Sequence, residues 1–159
     1  ELMFSKDVRY EIRTALKDGL RVAGVPFSAF REFYESVVPI QKTDEVWNKL
    51  AETHSAFIAY HGGTPISGAA FVPNGTQMYY SMAVTDFTSP YAKHAGYLLQ
   101  KEAMEHFKTK GYTFYVLGVL AREGDSEKLK QISHFKEKLG SRYVVEGEQF
   151  PFISYTPAR

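Results

Sequence analysis

The spacing of apolar positions changes twice along the chain. Over "SKDVRYEIRTALKDGL", Val8, Ile12, Ala15, Leu16 and Leu20 recur every three or four residues behind Ser5, a residue type that caps helix starts. In "PFSAFREFYESVVPI", Phe30, Phe33, Tyr34 and Val37 share one helical face, with Ser28 as the expected cap and Pro39 as the stop. A third helix is predicted from Thr43, with Asp44 and Glu45 in its first turn, where the helix dipole favours acids. Val46, Trp47 and Leu50 form its apolar side.

From residue 55 the period shortens. "SAFIAYHGGTPISGAAFVPNGTQMYYSMAV" holds three strand-like runs, at about 55–60, 65–72 and 77–84, separated by "HGG" and "PNG". Gly-Gly and Asn-Gly accept positive φ, so an antiparallel meander is expected. Helical spacing returns at 91–110, with Ala95, Leu98, Leu99, Ala103 and Phe107 inward and Gly111 as the stop. "YTFYVLGVL" reads as a buried strand over 112–120. A helix capped by Ser126 follows, with Leu129, Ile132, Phe135 and Leu139 as its stripe, and "RYVVEGEQFPFISY" reads as a closing hairpin. A strand, a long helix and a strand after a meander require a crossover connection, so the expected class is α/β: a mixed, mostly antiparallel sheet flanked by helices.

Composition narrows the chemistry. A chain of 159 residues is the length of one domain, and 44% hydrophobic content supports a continuous core. The net charge of +1 gives no global field toward DNA or membranes. With no cysteine, disulfides, thiolate metal sites and cysteine nucleophiles are excluded. His54, His61, His94, His106 and His134 show no metal-ligand spacing, so no metal is expected. No Gly-x-Ser-x-Gly elbow, P-loop or dinucleotide fingerprint occurs, and no cofactor follows from the residues. No apolar run reaches the length of a membrane span and "ELMFSKDVRY" is not a signal peptide, which points to a soluble cytoplasmic domain. The missing initiator methionine marks an expected processed or excised piece.

The order of elements resembles the GNAT acyltransferase fold. CoA-dependent GNAT enzymes carry an Arg/Gln-x-x-Gly-x-Gly/Ala loop whose amides hold the CoA pyrophosphate at the start of the long helix. Aligned on Leu98 and Leu99, this chain has Pro90 in place of Arg or Gln, Lys93 at the first glycine and Ala95 at the second. A side chain at 93 obstructs close backbone approach by a phosphate, while its ammonium offers attraction.

Four segments resemble more specifically the second GNAT-like domain of the Fem family, the aminoacyl-tRNA-dependent transferases that build peptidoglycan cross-bridges. They are the aromatic strand "YYSMAVTDF", the helix "YLLQKEAMEHFKTKGY", the strand end "FYVLGVL" and "HFKEKLGS", which is similar to the family's Phe-Lys-x-x-Phe-Gly. "SKDVRYEIRTALKDGLRV" is similar to the basic helix joining the two Fem domains. The chain departs from the family at Val116, where an aspartate is usual, at Val119, where a second glycine is usual, and in having room for one domain.

The resemblance implies an aminoacyl-tRNA donor, a peptidoglycan precursor or other amine as acceptor, and an N-terminal GNAT-like domain outside this chain. It places Phe135 and Lys136 in the acyl-transfer cleft, with the ammonium stabilising negative charge on the attacked ester. Tyr80 matches a family tyrosine, and Tyr79 and Ser81 are further candidates for substrate binding. Strand alternation sends Tyr79 and Ser81 to one face and Tyr80 and Met82 to the other. On the residues alone, Lys130, Lys136 and Lys138 also fit the solvated face of an amphipathic helix, and the tyrosines also fit a core. A CoA-dependent N-acyltransferase and a GNAT-like domain that binds without turnover stand as alternatives.

Overall fold

The computed structural model describes residues 4–118, 124–140, 143–144 and 154–157. Helix α1, Lys6–Lys17, starts at Ser5, whose hydroxyl accepts from the Val8 amide, and buries Val8, Ile12 and Ala15. Leu16, expected on the same stripe, is exposed, because at about 100° per residue it falls beyond Ile12, which marks the edge of the face formed with Val8, Glu11 and Ala15. Strand β1, Arg21–Val25, follows and forms the edge of the sheet. It has no counterpart in the sequence prediction: with Arg21, Ala23 and Gly24 all exposed, no apolar alternation announces it.

Helix α2, Phe27–Val37, has Pro26 rather than the expected Ser28 at its cap position. Pro26 has no side-chain oxygen, and no side-chain cap hydrogen bond is made there. Helix α3, Asp44–Thr53, is capped by Thr43, which accepts from the Val46 amide. Its inward residue is Trp47; Val46, expected beside it, faces out.

Strands β2 (Ser55–His61), β3 (Thr64–Asn74) and β4 (Gln77–Thr85) form the predicted antiparallel meander, and β1 adds antiparallel to β2. Strand β2 is buried on both faces. Phe57 and Ala59 join the core under α1 and the long helix α4, Ala92–Thr109, while Ala56 and Ile58 join the core under α2 and α3. That double burial explains why "AFIA" is continuously apolar. Helix α4 buries all five residues expected of it, and also Tyr97, Gln100 and Met104. It is the crossover to β5, Phe114–Val116, which pairs in parallel with β4. The described strand is shorter than the predicted 112–120, although Phe114 to Leu117 are all buried. Val119 and Leu120 lie outside the described residues.

Helix α5, Glu127–Lys138, is capped by Ser126 as predicted. Its terminus is tied to α1 by the Ser5 amide, which donates to the Lys138 carbonyl. The last strands are β6, Tyr143–Val144, and β7, Ser154–Pro157, in the order β1-β2-β3-β4-β5-β7-β6. They pair in parallel, which a two-strand hairpin cannot do. The residues expected to form its turn lie outside the described ones. The sheet is therefore mixed, with its four longest strands antiparallel and helices on both faces.

Gly68 fixes how closely α2 approaches this sheet. A Cβ there meets Phe30, Phe33 and Val84 side chains, each at 3.3 Å. Three converging neighbours in a packed core leave little room to relax, so Gly68→Val is expected to destabilise by about 1–2 kcal/mol. Urea unfolding checks this; unchanged stability would mean that α2 shifts at no cost.

Candidate functional site

Strands β4 and β5 stay paired only from Gln77↔Phe114 to Tyr79↔Val116, whereas β4 runs on to Thr85. Beyond Tyr79 a cleft of about 1090 Å³ opens between β4, the start of α4, the end of β5 and α5. The β4 register against β3 shifts at the same point: Ala70 faces Met82 and Phe71 faces Tyr80, leaving Ser81 as an extra residue. Such a bulge re-aims the side chains on either side of it. Tyr80 packs on Phe71 beneath α4, whereas Met82 and Val84 join the core beneath α2. The simple alternation that put Tyr80 and Met82 on one face is thereby corrected, because one inserted residue reverses every later side chain.

Tyr80, Ser81, Phe135 and Lys136 all line this cleft; Tyr79 does not. Tyr79 packs on Phe114 and Val116, and its hydroxyl donates to Gln77 Oε1 at 2.8 Å. Val116, at the position where the family aspartate is usual, is a fully buried strand residue.

Lys136 is 8% exposed, with Ser133 buried beside it on the same face of α5. The stripe predicted for this helix is turned: Leu129 and Ile132 are 45% and 40% exposed, Phe135 is half-buried, and Leu139 is buried. Phe135 stacks on Tyr97 at 4.8 Å between ring centres. A Cβ at Gly118 would stand 3.7 Å from Lys136 Nζ, so the end of β5 and this ammonium are direct neighbours. Lysine is among the side chains least often buried, and an apolar stripe would have stabilised α5 more simply. The solvated-face reading of Lys136 does not describe this helix.

Two phenols differ in place: Tyr80 lines the cleft, and Tyr115 lies in the core beneath α4. Burial pushes Tyr80 and Tyr115 well above the ordinary tyrosine range, so both stay protonated donors rather than bases. Tyr115 donates to Gln100 Oε1 at 2.5 Å, and both residues are almost completely buried.

At the mouth, two amides leading into α4 are already engaged. The Tyr91 amide donates to Ser89 Oγ and the Ala92 amide to the Ser89 carbonyl, each at 3.2 Å. Lys93 and His94 both bind the buried carboxylate of Glu11 on α1. Burial pushes Glu11 upward, but the hydrogen bonds and charges of Lys93 and His94 outweigh it and hold the carboxyl below its usual range. An anion arriving here finds two amides engaged and a carboxylate close by, the reverse of a phosphate cradle.

Sequence spacing also missed a pair that lies 27 positions apart. His54 Nε2 is 3.0 Å from Ser81 Oγ, and His54 Nδ1 is 3.0 Å from the Leu50 carbonyl and 2.9 Å from Thr53 Oγ1. Only an N–H can face a carbonyl, so Nδ1 carries the proton and Nε2 is left to accept from Ser81. Burial lowers the His54 pKa, against the opposing Leu50 contact, and the ring is neutral at pH 7. Among the described residues no cluster of histidine, aspartate and glutamate is placed to hold a metal ion, and no helix is long and apolar enough to cross a membrane.

No protein-family model matches the chain, and no curated protein sequence does. Solved structures do resemble it. L-PGS from Bacillus licheniformis aligns over 79% of this chain and 45% of its own, with a TM-score of 0.54 and 14% identity. A GNAT-family acetyltransferase from Streptococcus pneumoniae aligns over 76% and 86%, with a TM-score of 0.53 and 16% identity. FemX aligns over 68% of this chain and 46% of its own, with a TM-score of 0.52 and 12% identity. The alignment thus spans under half of FemX and of L-PGS. Meander, crossover helix and splayed β4–β5 pair together give this chain the GNAT acyltransferase fold.

Proposed function

We propose that the chain is a Fem-like acyltransferase domain that moves an aminoacyl group from aminoacyl-tRNA to the amine of a cell-wall precursor peptide. The observation that carries this reading is Lys136, buried beside Phe135 in a cleft at the split between β4 and β5. The acceptor amine attacks the ester carbonyl, and negative charge grows on the carbonyl oxygen. A desolvated ammonium already in place acts on that charge far more strongly than one in water. The bond from the acyl carbon to the tRNA 3′ oxygen then breaks, and that oxygen leaves with the proton the amine gives up. In the arrangement the Fem resemblance implies, a further GNAT-like domain contributes to the acceptor side of the cleft.

A CoA-dependent N-acyltransferase is favoured by the separation of β4 from β5 beyond the Tyr79–Val116 pair, seen among the described residues. The occupied amides at the start of α4 and the Glu11 carboxylate beside Lys93 weigh against a CoA pyrophosphate there. Calorimetry with acetyl-CoA and with a stable aminoacyl-tRNA analogue separates the two. Binding of the analogue alone, weakened in Lys136→Ala, is the expected result. Micromolar binding of acetyl-CoA would overturn the donor assignment, and binding of neither would favour a non-catalytic domain.

A further inference from the structure

We propose that Ser81 is an acyl-accepting nucleophile, activated by His54, which attacks carboxylic esters bound in the cleft. This goes beyond the donor and acceptor assigned above and stands independently of them. Ser81 is the inserted residue of the β4 bulge, exposed at the cleft. Its hydroxyl donates to His54 Nε2, whose other nitrogen is held by the Leu50 carbonyl. This is the logic of an activated serine: nucleophile, base, and a third group that fixes the base in the useful tautomer. Here that third group is a main-chain carbonyl. The imidazole is further confined by Phe27, whose ring lies 6.1 Å away.

The step balances without any added reagent. His54 Nε2 takes the Ser81 proton as Oγ bonds to the ester carbonyl carbon. The carbon–oxygen bond to the alcohol then breaks, and His54 returns the proton to the departing oxygen. An acyl-serine ester and a free alcohol remain. An amine, or water, afterwards takes the acyl group and regenerates the serine hydroxyl.

An alkyl fluorophosphonate tests this directly, because an activated serine displaces its fluoride and keeps the phosphonyl group. Incubation of the intact chain, followed by intact-mass measurement and peptide mapping, is expected to give one adduct, on Ser81. Ser81→Ala should give none. His54→Gln should react about a hundredfold more slowly, and added imidazole should restore part of the rate in His54→Ala. The imidazole arm separates a lost base from a disturbed fold. No adduct, an adduct on another residue, or an unchanged rate in His54→Gln would overturn the proposal. Donor binding plays no part in these measurements, so the tRNA reading can fail while Ser81 still reacts.

Discussion

Lys136→Met is expected to lower the rate of the proposed aminoacyl transfer by a factor of about 10²–10³, the usual loss when one positioned oxyanion donor is removed. Methionine keeps the unbranched stem and fills much the same space beside Gly118. The variant should therefore melt cooperatively, with the cleft intact. Single-turnover measurement of acyl transfer at saturating donor isolates the chemical step from binding. An interaction made only as charge develops costs kcat and kcat/KM equally; one made equally to bound substrate raises KM alone. A kcat within twofold of wild type would remove Lys136 from the chemistry. Its burial would then be an unusual way to finish a helix face and nothing more.

Lys136 also shows how far the chain can be read before folding. A period of 3.6 residues identified α5 and its Ser126 cap, because both depend on local spacing and chemistry. Which face points inward is a tertiary property. The two faces of "EKLKQISHFKEK" have the same period, and the more apolar one was the reasonable choice. The cleft turns that stripe in part: Ser133 and Lys136 go inward beside Leu139, which keeps its expected place, while Leu129 and Ile132 stay exposed. The resemblance to Fem proteins, carried by "HFKEKLGS", pointed to Lys136 where periodicity did not.

Strand β4 has a similar history. Its existence was plain from the aromatic and branched residues after Asn74-Gly75. The bulge at Ser81 was not, since register belongs to the pairing with β3 and not to the strand itself. The Ser81–His54 contact depends on that bulge and on the end of α3, two places that no local window joins. Strand β1 failed for a different reason: an edge strand of five mostly exposed residues has no buried face to advertise.

Removing Glu11 is expected to destabilise the fold by about 2–3 kcal/mol at neutral pH, the scale of buried hydrogen bonds to a charged partner. Glu11 is nearly fully buried on α1, and it is the point at which α1 meets the first turn of α4 through Lys93 and His94. In Glu11→Ala the Lys93 ammonium, which is largely exposed, can turn into water, so the cost stays below that of stranding a buried charge. The sign with pH follows from the depressed carboxyl. An unfolded glutamate titrates near 4.3, on the order of the model-peptide value. Above that pH the native ion pairs contribute their full stability. As pH falls through the lower, native value the carboxylate is protonated and the contribution disappears. Urea unfolding of wild type and Glu11→Ala across acid and neutral pH should therefore give two stability curves that converge toward acid. A separation that stays constant would assign the effect to lost packing of the side chain rather than to its charge. A separation that widens toward acid would contradict the depressed carboxyl itself. Convergence would leave Glu11 as the group that closes α1 onto α4 through its charge.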